Sequence, residues 1–214
     1  MSYRREDLIA ELVSEAKPVA RPGRLVWPVL TWLVATSVLA LVAMLLTGPF
    51  RVGALSQLLA NPQRLIEAAL GAAAVLALAQ AAFRSGIPGH APGLRSASLP
   101  LLILLAWVGA YVLAWLEPEA VYSMDGKRAH CWLEALLYGL PGLLFGYMAL
   151  RRLFPLHGAW SGLLLGLAAG AVPATLMQLA CMWEPSHILL LHILPGLALG
   201  GLGAALCAIL LRPR

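Results

Sequence analysis

Residues 25–46 read LVWPVLTWLVATSVLALVAMLL, a stretch of 22 residues without a charged side chain. A helix that crosses the hydrocarbon core of a bilayer needs about 20 predominantly apolar residues, so this stretch is long enough to span it. Five further runs share this character, and the six predicted spans are Leu25–Leu46, Leu65–Phe83, Leu99–Leu116, Trp132–Leu150, Ala159–Met182 and Ile188–Leu211. The sequence therefore predicts an all-α membrane protein, a bundle of six transmembrane helices.

The overall composition argues against a soluble domain. Of the 214 residues, 61% are hydrophobic and 12% are charged, whereas soluble domains are about half apolar and about a quarter charged. The net charge of +5 does not indicate nucleic-acid binding, because the basic residues are scattered at the ends of the apolar runs. We expect contact with the lipid bilayer and no direct contact with nucleic acid.

The distribution of Lys and Arg predicts the orientation, because cytoplasmic segments of membrane proteins carry an excess of these residues. With the N-terminus in the cytoplasm, the inner segments hold eleven basic residues and the outer segments hold four, namely Arg51, Arg64, Lys127 and Arg128. Both termini are therefore predicted to be cytoplasmic. The chain divides into a cytoplasmic segment 1–24, a transmembrane domain 25–211 and a cytoplasmic tail 212–214.

The N-terminal segment is predicted to form a short amphipathic helix that ends before Pro18. Its apolar face consists of Leu8, Ile9, Leu12, Val13 and Ala16. An isolated helix of this length is only marginally stable in water, so something should cover the apolar face. The membrane surface, the protein's own loops and a groove on a soluble partner are the three alternatives. Four acidic residues disfavour the membrane surface and the short loops disfavour self-packing, so a partner is slightly favoured.

Three cysteines divide between the two sides of the predicted bundle. Cys131 lies at the start of the fourth span and Cys181 at the end of the fifth, so both are placed at the outer surface. An oxidising compartment would permit a disulfide between them if the helices pack so that the two residues meet. Cys207 lies at the inner end of the sixth span and is predicted to be a small buried apolar residue.

Soft metal ligands surround the two outer cysteines in the sequence. They are His130, Met182 and His187. Thiolate, thioether and imidazole groups together suit a transient copper or other soft or borderline metal ion, and we expect no other cofactor. The spacing matches no zinc-finger pattern, and each histidine alone is equally typical of a membrane interface.

Several residues inside the last three spans are candidates for coupling. Glu134 and His192 are ionisable groups within predicted spans, and we hypothesise a contact between them, with separate interfacial positions as the alternative. Pro141, Pro173 and Pro195 permit helix deformation. Glycines at four-residue steps predict close helix packing and leave a homo-oligomer open. The tryptophans Trp115, Trp132 and Trp183 are interpreted as anchors at the outer interface.

The chain resembles the NrsF family, the negative regulators of sigma F. The resemblance rests on the motif Asp7-Leu8-Ile9-Ala10-Glu11-Leu12, the following Pro18-Val19 pair, the six spans, and the cysteines Cys131 and Cys181. It implies a bacterial inner-membrane anti-sigma factor that inactivates an extracytoplasmic-function sigma factor until an envelope stress releases it. The residues expected to bind this partner are Asp7, Leu8, Ile9, Leu12 and Val13, and the outer cysteines are expected to sense oxidants or metal ions.

Two other classes of membrane protein compete with this interpretation. A small transporter or channel would use a proline-broken helix site, but only Gln80, Gln178 and a few hydroxyl groups lie deep in the spans. A membrane thiol oxidoreductase would be expected to carry a Cys-x-x-Cys motif, which the sequence lacks. No catalytic constellation stands out, so the protein is predicted not to be an enzyme.

Overall fold

A computed structural model of the protein describes residues 4–15, 24–89, 93–116, 125–153 and 155–211. Its helices in chain order are α1 (Arg5–Glu15), α2 (Val26–Thr47), α3 (Ala54–Ala60), α4 (Pro62–Ser85), α5 (Leu94–Leu116), α6 (Cys131–Leu150), α7 (Gly158–Ala180), α8 (Pro185–Ile188) and α9 (Leu194–Leu210). A π turn, Leu189–Ile193, joins α8 to α9. In this part of the chain, six helices are long and apolar enough to cross a membrane, which confirms the predicted number.

Helix α7 forms the centre of the bundle. It packs against α9, α4, α6 and α2, and it is buried along most of its length. The surrounding helices bury one face and expose Leu and Val side chains on the other, as Leu102, Leu105 and Leu113 of α5 illustrate. Exposed apolar surface of this extent is typical of a face that contacts a membrane.

The contact between α7 and α9 depends on glycine. A Cβ atom at Gly166 would overlap the carbonyl oxygen of Leu199, and one at Gly170 would overlap that of Gly196. The two backbones therefore approach more closely than side chains would allow, and the glycine steps pack as predicted.

The three predicted proline sites differ in their helix geometry. Helices α6 and α7 continue through Pro141 and Pro173 without a break. Pro195 instead follows the π turn. A proline ring crowds the carbonyl group four residues earlier, and the wider turn makes room for it. The proline-broken site that a transporter would need is therefore not formed at Pro141 or Pro173.

The predicted N-terminal helix is present as α1. It is preceded by Arg4, and its described residues are all exposed. The predicted boundary at Pro18 and the Pro18-Val19 pair lie outside the described residues. The cytoplasmic tail 212–214 lies outside them as well, and the orientation of the termini stays a prediction.

Candidate functional site

The two cysteines that the sequence placed at one surface lie in contact. Cys131 is the first residue of α6, and Cys181 directly follows the last residue of α7. Both are buried free thiols, and their Sγ atoms are 3.2 Å apart. The sequence left this proximity open because it depends on how α6 packs against α7.

Two histidines complete a cluster around the thiols. The Nε2 atom of His187 lies 3.3 Å from the Sγ atom of Cys181. The rings of His187 and His192 meet edge to face, with centroids 5.1 Å apart. One ligand atom from each of the four residues lies within 4.8 Å of the other three, and all four residues are buried. We call Cys131, Cys181, His187 and His192 the Cys–His cluster.

Local structure after α7 explains how the histidines reach the thiols. The Glu184 carboxylate accepts hydrogen bonds from the backbone N–H groups of Ser186 and His187, and so caps α8. Positions five apart, such as 187 and 192, lie about 140° apart around an α-helix. The π turn is wider and brings such positions toward one face, which lets both rings reach the cluster.

The cluster differs from the predicted set of metal ligands. His192, predicted as a coupling residue, joins it, whereas His130 is exposed and lies outside it. Met182 is buried beside Cys181 in the chain, and its role as a ligand stays a prediction. The structure thus replaces one predicted histidine with another, because the packing of the last span decides which ring faces the thiols.

Glu134 contacts an arginine rather than His192. Its carboxylate is 3.1 Å from the Arg128 guanidinium, while among the described residues neither ring nitrogen of His192 has a hydrogen-bond partner. Among the described residues, Glu134 and His192 therefore form neither a hydrogen bond nor an ion pair with each other. The loop before α6 carries Arg128 close enough to neutralise Glu134, and its course was not readable from the sequence.

Arg128 also links the cluster to the end of α2. The Cys131 thiol donates to the Arg128 carbonyl oxygen at 3.4 Å. The Arg128 guanidinium donates to the carbonyl oxygens of Met44 and Gly48, at 3.1 and 2.9 Å. These carbonyls belong to the last turn and C-cap of α2, where helices leave carbonyl groups short of backbone donors. The Met44 carbonyl also accepts from the Gly48 backbone N–H, so Arg128 adds a second donor there. A change at Cys131 therefore acts directly on the residue that caps α2.

A second set of contacts links Trp183, two residues after Cys181, to α4. The indole Nε1 of Trp183 donates to the Glu67 carboxylate at 3.0 Å, and the Gln63 amide donates to it at 3.1 Å. The Arg64 guanidinium lies 4.1 Å from the centroid of the Trp183 ring. Because Trp183 is buried, its interpretation as an interface anchor is wrong, while Trp115 and Trp132 remain about half exposed.

Cys207 lies away from the cluster, at the other end of α7. A Cβ atom at Gly158, the first residue of α7, would overlap the Cys207 carbonyl oxygen, whereas Cys181 follows the last residue of the same helix. Cys207 is buried, as the sequence predicted for a packing residue.

The chain matches a known protein family. The family model described as NrsF, negative regulator of sigma F, matches residues 12–212, nearly the whole chain. The chain belongs to the NrsF family. The match to NrsF includes the Cys–His cluster, Leu12 and Val13, and it begins after Asp7, Leu8 and Ile9. No match was found among curated proteins or solved structures.

Membership of the NrsF family has two direct consequences for function. Its description as a negative regulator of sigma F implies a sigma factor as the partner of this chain. It also indicates a regulator rather than an enzyme, in line with the prediction from the sequence.

Proposed function

We propose that the protein is an anti-sigma factor of the bacterial inner membrane. In this proposal α1 binds an extracytoplasmic-function sigma factor and keeps it from transcription. An oxidant or a soft metal ion that reacts with Cys131 and Cys181 then causes release. The observation that carries the proposal is the uncovered apolar face of α1 in a chain that belongs to a family of sigma-factor regulators.

The apolar face of α1 is suited to binding a protein. Leu8, Ile9, Leu12 and Val13 are between 48% and 68% exposed, so no described part of the chain covers them. This disfavours self-packing, one of the three alternatives for covering the helix. The helix also carries four acidic residues, whereas helices that lie on a membrane favour Lys and Arg on their polar side. A groove on a soluble partner suits such a helix best.

The proposed sensor lies at the last turn of α2, whereas the proposed binding helix precedes α2 in the chain. Helix α1 precedes the first residue of α2, while Arg128 and Cys131 lie at its last turn. The 22 residues of α2 span about 33 Å at about 1.5 Å per residue. The excess of Lys and Arg supports placing α1 in the cytoplasm and the cysteines at the outer surface.

The two thiols are arranged for oxidation to a disulfide. A peroxide would first oxidise one thiolate to a sulfenic acid and leave as an alcohol or water. The second thiol would then attack the sulfenic sulfur, form the S–S bond and release water. Across both steps the two thiols lose two electrons and two protons, and the peroxide O–O bond is cleaved. The Sγ atoms need only move from 3.2 Å to about 2.0 Å.

Contacts between α2 and α6 provide a route from the thiols to α1. Besides the Arg128 contacts, the Trp32 indole donates to the Gly142 carbonyl oxygen at 2.8 Å, and the Thr47 and Tyr138 hydroxyl groups are 2.5 Å apart. A displacement of the start of α6 would therefore move α2, the helix that follows the N-terminal segment. Release requires two arrangements of the bundle that present α1 differently.

Membrane pull-down of the sigma factor tests the role of α1. We expect Leu8→Ala with Leu12→Ala to abolish retention, because each buried leucine contributes about 1.5–3 kcal/mol to such an interface. The matched control is Ser14→Ala on the polar side of α1, which should retain the sigma factor like the wild type. Retention by the double variant at the wild-type level, with equal amounts of protein in the membrane, would contradict the proposed role of α1.

A further inference from the structure

We infer that the Cys–His cluster is a four-coordinate site for one divalent ion of the zinc type. The ligands are the thiolates of Cys131 and Cys181 and one ring nitrogen each of His187 and His192. The inference specifies which kind of metal ion the proposed sensor binds. It rests on the proposed function only where it concerns the effect of the ion on sigma-factor release. Metal binding itself can be measured without a sigma factor.

The distances in the cluster are close to those of a tetrahedral site. Zinc binds sulfur at about 2.3 Å and imidazole nitrogen at about 2.0–2.1 Å, so tetrahedral geometry places two sulfur atoms about 3.8 Å apart and a sulfur and a nitrogen atom about 3.6 Å apart. In the structure the two Sγ atoms are 3.2 Å apart, and Cys181 Sγ is 3.3 Å from His187 Nε2. All four ligand atoms lie within 4.8 Å of one another. Small side-chain rotations therefore suffice to close the site.

The His192 ring provides a second, independent observation. Its side chain is fully buried, and neither ring nitrogen makes a hydrogen bond of regular geometry among the described residues, although one of them lies within 4.8 Å of the Cys181 Sγ atom. Buried polar groups almost always have a partner, and one without a partner calls for an explanation, such as a role as a metal ligand. A metal ion bound by the other three ligands would supply the missing partner for one of these nitrogens.

Charge balance favours a divalent ion. Binding removes one proton from each thiol and transfers no electrons, so two thiolates, two neutral imidazoles and a divalent ion form a site without net charge. Burial penalises any net charge strongly, and copper(I) with two thiolates would leave one negative charge. Magnesium and calcium prefer oxygen ligands, which the four side chains do not offer. Zinc, or another ion of the same coordination chemistry, fits the ligand set.

Metal binding and disulfide formation exclude each other at this site. Both use the same two sulfur atoms, so each disulfide that forms must release one bound ion. A bound ion should also slow oxidation, because its thiolates no longer attack an oxidant freely. The state of the cluster would thus depend on both the metal-ion concentration and the oxidant concentration.

Cobalt(II) titration of the reduced, full-length protein in detergent tests the site. Cobalt(II) replaces zinc in tetrahedral sites and reports thiolate coordination by visible absorption. We expect one cobalt(II) ion per chain with a tetrahedral thiolate spectrum, displaced by zinc. His192→Asn and His187→Asn should each weaken binding by about tenfold or more, since even residues outside the first ligand shell have effects of this size. The matched control His130→Asn should bind like the wild type.

Two results would overturn the inference. One is the absence of a tetrahedral cobalt spectrum in the wild type while both thiols titrate as reduced, which decides the question even if a variant fails to fold. The other is unchanged affinity in a monodisperse His192→Asn protein. Sigma-factor retention by the same membranes separates the two proposals: failure of metal binding alone overturns this inference, and failure of retention alone overturns the proposed function.

Discussion

Cys131 and Cys181 come from separate helices, and contact between α6 and α7 brings their sulfur atoms together. Cys207 is equally buried but lies at the other end of α7, beside Gly158. The chain therefore contains an internal control for any thiol chemistry. A reagent that acts on the proposed sensor should depend on the first two cysteines and not on the third.

Single cysteine substitutions test the role of each thiol in the proposed sensor. We expect Cys131→Ser and Cys181→Ser to keep a sigma-dependent reporter at its uninduced level during oxidant or metal stress, because either change removes the disulfide and half of the thiolate ligands. Cys207→Ser should be induced like the wild type. The measurement is reporter activity with equal membrane levels of all three variants. Full induction of the first two would rule out thiol sensing and leave the anti-sigma assignment intact.

The cysteines of the site are predictable from the sequence, but the complete set of site residues is not. The sequence places Cys131 and Cys181 at one predicted surface because the ends of the apolar spans can be located in it. The membership of His192 was missed, since positions five apart do not share a face in a regular α-helix. The pairing of Glu134 with Arg128 and the burial of Trp183 were missed because both depend on loop paths and helix packing. A histidine shortly before a mid-helix proline, as in His192 and Pro195, was the available signal.

Among the described helices, α7 and α9 pack most closely together, and their contact leaves no room for an added Cβ atom at several glycines. Gly166 lies against the Leu199 carbonyl oxygen, so any added atom pushes the two backbones apart. In contrast, a Cβ atom at Gly201 of α9 would meet nothing within 4 Å among the described residues. The two glycines provide a matched pair of sites on neighbouring helices.

Alanine substitution should separate packing from helix propensity at these sites. We expect Gly166→Ala to lower the free energy of unfolding by about 1–3 kcal/mol, the usual effect of overpacking. Gly201→Ala should leave it unchanged or raise it by up to about 1 kcal/mol, because alanine favours the helix. Unfolding of the purified proteins in mixed micelles with increasing SDS provides the measurement. Equal stability of the two variants would show that the α7–α9 contact tolerates a side chain at Gly166.

The long helices were predictable from the sequence, and the short elements were not. The ends of each predicted span lie within a few residues of the ends of a long helical segment, for example Leu65–Phe83 against α4 (Pro62–Ser85). The apolar length that a membrane requires leaves little freedom in where a span begins and ends. Helix α3 (Ala54–Ala60) was missed, since seven residues give too little periodicity. The π turn was missed because Pro195 alone does not reveal how the chain accommodates it.

In the proposed orientation, the Cys–His cluster and α1 lie on opposite sides of the membrane. The Cys–His cluster contacts the end of α2 through Arg128, and α1 precedes its beginning. A ligand or oxidant at the cluster can affect a partner at α1 only if the two sites share a conformational equilibrium. The contacts from α2 to Gly142 and Tyr138 make joint movement of α2 and α6 the simplest such change.

Oxidative release of the sigma factor from membranes tests whether the Cys131–Cys181 disulfide controls sigma-factor binding. Membranes containing the full-length protein and bound sigma factor are treated with a peroxide. The sigma factor in the membrane pellet and the Cys131–Cys181 disulfide, identified by peptide mass mapping, are then quantified together. We predict that the sigma factor leaves the pellet in proportion to disulfide formation, that a dithiol reductant restores binding, and that Cys181→Ser membranes retain it throughout. Complete disulfide formation with undiminished retention, or release from Cys181→Ser membranes, would contradict control of release by the disulfide.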